Sequence, residues 1–238
     1  MLADDLRGMW YIAMKDLRAY YFKPPNISWG IMFPFAFVLA FAIRNPGELR
    51  QLVPGLLALT ILFGTSSMEA IVIVFERRIG SLERLLLAPV RLPALLAGKL
   101  LGGMTFGLTV TAVVLLVALA VFGAGSVNWP LLALALLLAA AAFSALGAVR
   151  EVFEAQTLAN FVRFPMMFLG GIFVPLSSMP PALQVVARAL PLTYAVETLR
   201  AALDGRALPT TALDLGALAA FTAALFWLAV RALARRTA

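Results

Sequence analysis

The feature of this chain that most constrains its fold is a run of fifty residues, 100–149, without a single charged side chain. A helix needs about 20 apolar residues to cross the hydrocarbon core of a bilayer, so the run is too long for one crossing. Residues of the types found in turns lie at its midpoint: Gly123, Gly125, Asn128 and Pro130. The run therefore predicts two membrane-spanning helices, 99–122 and 130–149, with a very short connection.

The composition of the whole chain agrees with a lipid environment and excludes most catalytic chemistry. Hydrophobic residues make up 63% of it and charged residues 13%, whereas soluble domains carry about 25% charged residues. The absence of Cys and His excludes thiolate and imidazole nucleophiles and argues against a zinc site. The phosphate-binding motif GxxxxGKS or GxxxxGKT is also absent. We therefore expect no catalytic residue, cofactor or metal on this chain, and any ATP must be bound by another chain.

Four more apolar segments are long enough to cross a bilayer, which brings the predicted count to six transmembrane helices. They are 24–44, 52–75, 157–174 and 213–231. The second of them is interrupted by a single acidic residue. We predict an all-α integral membrane protein in which residues 1–238 form a single transmembrane domain.

Lys and Arg are unevenly distributed between the segments that connect the predicted spans. If the N-terminus lies in the cytoplasm, five of the 19 basic residues fall outside and the other fourteen fall inside. The five are Arg44, Arg50, Arg188, Arg200 and Arg206. Because cytoplasmic loops are enriched in Lys and Arg, we predict cytoplasmic termini and a multi-pass protein of the inner (cytoplasmic) membrane. The net charge of +7 then reflects topology and anionic lipid headgroups, and we expect no nucleic-acid partner.

Residues 1–23 predict an amphipathic helix at the membrane interface. Apolar side chains recur at intervals of three and four residues: Leu2, Leu6, Met9, Ala13, Leu17 and Tyr20. Trp10 and Tyr21 widen this stripe with rings suited to the headgroup layer, and Pro24 and Pro25 end the helix. Charged residues take the opposite side: Asp4, Arg7, Lys15 and Arg18. The helix is either a simple interfacial anchor or an element with a mechanical role in coupling.

Residues 76–92 connect the second and third predicted spans and predict a short helix on the cytoplasmic face. Gly80 can break the preceding helix, Ser81 can cap a new one, and Pro89 stops it after about two turns. Three leucines share one face: Leu82, Leu85 and Leu86. Two charged residues lie off that face: Glu83 and Arg84. Such a helix lies on the membrane surface, packs under its own chain or docks into a partner.

Residues 175–206, between the fifth and sixth predicted spans, predict two short helices in the outer leaflet. Four prolines exclude one continuous helix: Pro175, Pro180, Pro181 and Pro191. The segments 182–190 and 193–203 each have one apolar face at helical spacing. Irregular backbone at membrane depth must be buried in protein or face water, so we expect re-entrant helices that cap the exit of a pathway. The alternative is a folded outer plug that contacts no substrate.

Glu69 lies inside the second predicted span, seven residues before Glu76 and about 10 Å deeper along the helix. A carboxylate at this depth is costly unless it faces the bundle interior, a partner or water. One hypothesis places it on the substrate pathway, where it would favour cationic substrates. Further candidates for this pathway are Met68, Phe168 and Phe173. The other hypothesis makes Glu69 a structural partner of Arg163 or of a hydroxyl such as that of Thr65.

A rival hypothesis from another class is an ion- or proton-coupled transporter or channel that needs no ATPase. A proton relay requires several intramembrane carboxylates or histidines, and Glu69 is the only one that qualifies. A membrane-embedded enzyme is favoured even less, because no second deep carboxylate accompanies Glu69 for acid–base chemistry.

Two segments resemble the permease subunits of type-2 ATP-binding-cassette exporters. One is FERRIGSLERLLLAPVRLPALLAGKLL, at 75–101, which is similar to that family's cytoplasmic loop between the second and third spans. The other is FPMMFLGGIFVPLSSMPPALQVVARALPLTYAVETLRAAL, at 164–203, which is similar to its fifth span and the outer segment that follows. With the N-terminal helix and the span count, the resemblance covers nearly the whole chain. It departs at Gly170-Gly171, where the family pattern has Ser-Gly.

The resemblance implies that the 76–92 loop holds the coupling helix, docked in a groove of a separate cytoplasmic ATPase that binds ATP and Mg²⁺. Charged residues would orient the docked helix: Glu76, Arg77, Glu83 and Arg84. Leucines would anchor it: Leu82, Leu85 and Leu86. The resemblance also implies a dimer with a second copy or a paralogue. Small residues that permit close helix contact agree with this: Gly98, Gly102, Gly103 and Gly107.

The resemblance further implies export, with an outer gate formed by residues of the second segment: Gly170, Gly171, Pro175, Pro181, Pro191 and Tyr194. The nearly uncharged spans, rich in aromatic residues and Met, favour a hydrophobic or amphipathic substrate such as a drug, an antibiotic or a lipid-like molecule. A lipid-linked glycan is the alternative substrate.

Overall fold

The fold is known from a computed structural model, which describes residues 2–24, 26–28, 32, 35–36, 49–78, 80–87, 90–123, 125–152, 156–206 and 209–237. Within these ranges the chain is all-helical and has no strand, as the sequence predicts. The helices with defined bounds are α1 (Leu2–Asp16), α2 (Leu49–Arg78), α3 (Ser81–Leu86), α4 (Leu92–Phe122), α5 (Trp129–Val152), α6 (Gln156–Leu169), α7 (Pro181–Arg188), α8 (Pro191–Leu203) and α9 (Thr211–Thr237). A π-helical turn, Leu17–Tyr21, continues α1, and a 3-10 turn, Leu176–Ser178, precedes α7.

Four helices in the described ranges are long and apolar enough to cross a membrane: α2, α4, α5 and α9. They correspond to the second, third, fourth and sixth predicted spans. Most of the first predicted span, 24–44, lies outside the described residues. The fifth differs from the predicted 157–174, because α6 has 14 residues and ends at Leu169, before a turn at two glycines. The count of six spans therefore stays a prediction.

The third membrane helix begins earlier than predicted. α4 starts at Leu92 instead of residue 99, with Pro93 in its first turn, where the missing N–H of proline costs nothing. The sequence prediction began this span at Lys99 because a charge is costly in an apolar helix. In the structure that side chain is 1% exposed and paired with acidic partners, so the helix runs through it without interruption.

The core of the bundle lies where α8 packs against α2, α5 and α9. Leu57 of α2, Phe143 of α5 and Leu192 of α8 are fully buried in one apolar cluster. α8 is the second of the two predicted outer-leaflet helices, and it is an internal element of the fold. α7, the first, is mostly exposed and buries only Ala187.

Glycines on α4 bring it close to two other helices of the same chain. A Cβ at Gly98 would lie 2.7 Å from the backbone oxygen of Met9 on α1. A Cβ at Gly107 would lie 2.3 Å from Cγ2 of Thr65 on α2. The sequence suggests these two glycines as positions of close helix contact in a dimer. In the structure they allow close contacts between helices of the same chain, because α4 packs against both α1 and α2.

The bundle has two distinct ends. The basal end carries α1, α3 and the first turns of α4, together with the last turns of α9, where Leu233 packs with Leu96. The distal end carries α7, α8 and the turn between α4 and α5. In this turn the backbone N–H of Asn128 donates a hydrogen bond to the carbonyl oxygen of Ala202. α1 and the end of α9 therefore share one end, which agrees with the predicted placement of both termini on one side of the membrane.

Candidate functional site

The basal end contains the loop that the sequence assigns to coupling. α2 ends at Arg78, Gly80 has a φ of +67°, and α3 follows directly. Glycine adopts a left-handed φ without steric cost, so Gly80 allows a sharp turn between the two helices. The Ser81 hydroxyl makes no hydrogen bond within the described part of the chain, so the expected side-chain cap is not seen there.

α3 presents an exposed surface at this end. Arg84 is exposed, Leu85 is half-buried, and Leu87, directly after the helix, is 86% exposed. The remaining predicted docking residues on this loop have side chains outside the described part of the structure: Arg77, Leu82, Glu83, Leu86 and Pro89. The described side chains thus combine an exposed leucine with an exposed guanidinium group.

Glu76 is not part of that surface. Its carboxylate is buried and accepts hydrogen bonds from Lys15 on α1 and from Lys99 on α4. Lys99 Nζ also lies 3.2 Å from Asp16 Oδ2, and Lys15 Nζ lies 2.9 Å from Asp16 Oδ1. We refer to Lys15, Asp16, Glu76 and Lys99 as the ion cluster. Because Glu76 is enclosed in it, this residue cannot reach a docked partner.

The ion cluster pairs two ammonium groups with two carboxylates. Removing a charge from water costs several kcal/mol, and this cost is offset only when every partner is present. Burial raises the pKa of Asp16, and the ammonium group of Lys99 opposes that rise. The cluster therefore favours one arrangement of α1, α2 and α4, since any other leaves a buried charge unpaired.

Sequence reasoning missed the ion cluster because it placed Lys15 on the charged side of α1 and did not consider Asp16. Leu6 and Trp10, predicted to share one apolar stripe with the rest, are exposed. The buried face combines three residues of the predicted stripe, Ala13, Leu17 and Tyr21, with Ile12 and Asp16, which were not part of it. A carboxylate at the centre of an apolar face is the signal that could have revealed a buried partner.

Two further contacts join α1 to the chain that follows α3. The backbone amide of Arg91 donates to Asp5 Oδ1 at 3.2 Å, and Arg91 Nε lies 3.6 Å from Asp5 Oδ2. A Cβ at Gly8 would lie 2.8 Å from Cγ2 of Val90, so the two segments are in close contact. α1 therefore holds both the helix before α3 and the linker after it.

At the distal end, α7 and α8 form a tight helical hairpin. Pro181 and Pro191 each occupy the first turn of their helix, and Pro175 precedes the 3-10 turn. The hydroxyls of Thr193 and Tyr194 donate at 2.6 Å to the carbonyls of Ala187 and Arg188, respectively. The last carbonyls of a helix lack partners within it, so the start of α8 satisfies the end of α7.

The two glycines after α6 are both required by their surroundings. A Cβ at Gly170 would lie 2.7 Å from the carbonyl oxygen of Met166 and 2.8 Å from Cδ2 of Leu192. This is the position where the resemblance expects Ser, and the close approach of α8 explains the departure. Gly171 has a φ of +79°, and its carbonyl accepts a hydrogen bond from Arg200 on α8 at 3.1 Å.

The predicted pathway residues are only partly described. Phe168 is exposed, and its ring centroid lies 5.9 Å from that of Phe173. The side chains of Met68 and Glu69 lie outside the described part, so neither hypothesis for Glu69 is decided. The guanidinium of Arg163 lies 5.7 Å from the ring centroid of Phe63. The hydroxyl of Thr65 donates to the carbonyl of Ile61 at 2.7 Å within its own helix.

A cavity of about 860 Å³ lies at the distal end, between the start of α2, the end of α4 and the α7–α8 hairpin. Phe173 lines it, so one member of the aromatic pair contacts this space. Its charged lining residues are Arg50, Arg188, Glu197, Arg200 and Asp204. Its apolar lining includes Val53, Leu115, Leu119, Phe122 and Ile172.

The comparison with known protein families matches a range of the chain that includes segments from both ends of the bundle. Residues 7–203 match the ABC-2 type transporter family, and this range includes most of α1, the 76–92 loop and the α7–α8 hairpin. The chain belongs to the ABC-2 type transporter family. The described membrane helices are therefore those of an ABC-2 permease subunit.

Individual relatives cover parts of the chain. The inner membrane transport permease YadH of Escherichia coli strain K12 is 29% identical over 157 residues, which are 64% of this chain and 61% of YadH. Nodulation protein J of Rhizobium meliloti is 37% identical over 81 residues, which are 34% of this chain and 30% of that protein. Nodulation protein J of Neorhizobium galegae is 32% identical over 77 residues, which are 32% and 29% of the two chains. Each of these matches thus spans less than two thirds of the relative's own length.

Proposed function

We propose that this chain is the membrane-spanning subunit of an ATP-driven exporter. Its helices form the pathway for a hydrophobic or amphipathic substrate, such as a drug, an antibiotic or a lipid-like molecule. A separate cytoplasmic ATPase subunit binds ATP and Mg²⁺ and docks at the basal end. A second copy or a paralogue completes the transporter, and both termini lie on the cytoplasmic side of the inner membrane.

One observation carries the proposal: α3 connects two helices that are fixed to each other at the basal end. The helix before it and the helix after it are joined by the ion cluster, and both also contact α1. The surface that remains exposed contains Arg84 and Leu87. A desolvated apolar anchor beside a charged side chain is typical of a specific docking interface. α3 thus offers a soluble ATPase a surface that is rigidly connected to the membrane helices.

The same contacts suggest how movement of the ATPase reaches the pathway. A displacement of α3 acts on α2 through the short turn at Gly80 and on α4 through the linker at Val90 and Arg91. Because Glu76 and Lys99 are paired, the two helices respond together. α1 moves with them, since Lys15 and Asp16 belong to the same cluster. In this proposal the N-terminal helix has a mechanical role in addition to that of an interfacial anchor.

At the distal end the α7–α8 hairpin serves as the outer gate. Its hydrogen-bonded turn and the glycines after α6 hold it against the core, and the distal cavity lies beside it. A lipid-linked glycan remains the alternative substrate, since the same cavity is lined by charged as well as apolar side chains. An ion-coupled transporter is less well supported, because three of the four buried charged side chains in the described ranges form the ion cluster.

Co-purification with a candidate ATPase subunit tests the proposal. The full chain, in nanodiscs, is mixed with the ATPase, and complex formation and ATP turnover are measured for wild type and for Leu85→Asp, Leu87→Asp and Arg84→Glu. We expect each variant to weaken the complex by at least about tenfold, since a charge at an apolar anchor or a reversed interfacial charge costs about 2 kcal/mol or more.

Arg18→Glu is the matched control, because it reverses an exposed charge of the same type outside α3, in the π-helical turn that continues α1. We expect this variant to bind the ATPase like wild type. If all four variants assemble equally well, α3 is not the docking helix and the mechanical part of the proposal fails. If wild type binds no ATPase and transports without one, the exporter assignment itself is overturned.

A further inference from the structure

The cavity at the distal end has a charged mouth and an apolar interior. Arg50 and Arg188 line it as exposed side chains, whereas Val53 and Ile172 line it as buried ones. Its volume, about 860 Å³, lies within the range of sites that enclose drug-sized ligands. The arrangement therefore separates a region suited to a charged group from a region suited to a hydrocarbon chain.

The charges at the mouth do not cancel. Arg200 is paired, because its Nη1 lies 3.2 Å from Glu197 Oε1 on the same helix. Arg50 and Arg188 make no ion pair with any residue that the structure describes, and neither does Asp204. Two guanidinium groups thus line the cavity together with a single unpaired carboxylate, which leaves an excess of positive charge. This excess favours the entry of an anion.

We propose that this cavity binds a single-chain anionic amphiphile, with a phosphate headgroup at Arg50 and Arg188. Guanidinium groups bind phosphate oxygens in a bidentate manner, which a neutral headgroup cannot match. The alkyl chain lies along the apolar side of the cavity, formed by Leu115, Leu119 and Phe122. As a statement about the exported substrate, this inference rests on the proposed function; as a statement about binding, it does not.

Native mass spectrometry of the full chain in a nonionic detergent measures this binding directly. The probe is lysophosphatidic acid, and the competitors are the monoacylglycerol with the same acyl chain and inorganic phosphate. We expect saturable binding of one lysophosphatidic acid per chain, without displacement by either competitor. The double variant Arg50→Gln/Arg188→Gln should bind at least about tenfold more weakly, because each charge-assisted hydrogen bond contributes severalfold to affinity.

Two matched controls separate the site from general effects. Arg206→Gln removes an exposed positive charge from the same end of the bundle without touching the cavity lining, and it should bind like wild type. Ala118→Trp fills the cavity without changing its charge and should weaken binding about tenfold. Ala120→Trp introduces the same side chain on the same helix at a position that does not line the cavity, and it should bind like wild type.

Several results would overturn the inference. Displacement by monoacylglycerol would mean that the cavity accepts any amphiphile, and displacement by inorganic phosphate would mean a site for free anions. Equal loss in Arg206→Gln and the double variant would indicate surface charge alone. Binding as expected, together with a failure to assemble with any ATPase, would leave this inference standing and reject the proposed function. Assembly with an ATPase but no binding would do the reverse.

Discussion

Lys99 on α4 donates a hydrogen bond to Glu76 on α2 where neither side chain is more than 1% exposed. The two residues are 23 positions apart, and α3 lies in the segment between them. The pair therefore closes a loop whose only short helix is the predicted docking element. Asp16 and Lys15 attach α1 to the same point. The position of α3 relative to the membrane helices is thus set by a buried electrostatic contact.

Replacing Lys99 with Met should strongly destabilise the protein. The substitution keeps the volume but leaves the carboxylates of Asp16 and Glu76 buried with one ammonium group between them, a change that typically costs about 3–5 kcal/mol. The effect is measured as the midpoint temperature of unfolding in detergent, with the folded fraction at each temperature determined by size-exclusion chromatography. Lys23→Met is the control, because Lys23 is exposed and lies outside the cluster. Equal midpoints for the two variants would show that the cluster has no role in stability.

The two carboxylates of the cluster should differ in importance. Glu76→Gln removes the negative charge that pairs with both lysines and turns one acceptor oxygen into a donor, so it should cost several kcal/mol, whereas Asp16→Asn should cost about 1 kcal/mol. Because the pKa of Asp16 is raised by burial, its contribution to stability is fully present at low pH and declines as the pH rises through that pKa. Asp16→Asn should therefore flatten this part of the pH dependence. The measurement is the midpoint of unfolding of both variants from pH 4 to pH 8. Equal midpoints and the same pH dependence in Glu76→Gln and Asp16→Asn would contradict the predicted difference between the two carboxylates.

Gly98→Ala should displace α1 from α4. The new methyl group would lie 2.7 Å from the backbone oxygen of Met9, a contact that requires one of the helices to shift, at a cost of about 1–3 kcal/mol. Limited trypsin digestion at Arg7 and Lys15 measures the release of α1. Gly216→Ala introduces the same methyl group where nothing lies within 4 Å, and it should be digested like wild type. Slow digestion of both variants would refute the close packing of these helices.

Tyr194→Phe should loosen the α7–α8 hairpin. The variant removes the hydroxyl that donates to the carbonyl of Arg188 at 2.6 Å, which should cost about 0.5–1.5 kcal/mol. Hydrogen exchange of the α7 backbone amides, followed by mass spectrometry, should become faster. Tyr11→Phe is the control, since that tyrosine is exposed on α1 at the other end. Unchanged exchange in α7 would mean that Thr193 alone holds the end of that helix.

The sequence predicted the four long membrane helices that the structure describes, because apolar length is a local property. The uncharged run 100–149 divides at its glycine-rich midpoint, as observed, and Gly80 separates α2 from α3. The bounds were less accurate where a charge lies inside a helix, as at Lys99, since pairing with residues far away in the chain removes the cost that the prediction assumed.

The partners of close contacts could not be predicted from the sequence. Gly98 and Gly107 indicate that another backbone approaches α4, but the pattern does not say which one, and both contacts proved to lie within the chain. The ion cluster joins residues from three helices, and only the fold reveals that their faces meet. The same holds for the distal cavity, whose arginines come from the starts and ends of different helices.

The ion cluster also bears on how the chain is made. Asp16 leaves the ribosome 83 residues before Lys99, an interval of roughly 4–17 s at about 5–20 residues per second. Until α4 has been made, Asp16 lacks the buried ammonium group of Lys99, and α1 lacks the helix against which it packs. α1 is thus synthesised well before it can take its final place, and its docking depends on the insertion of α4.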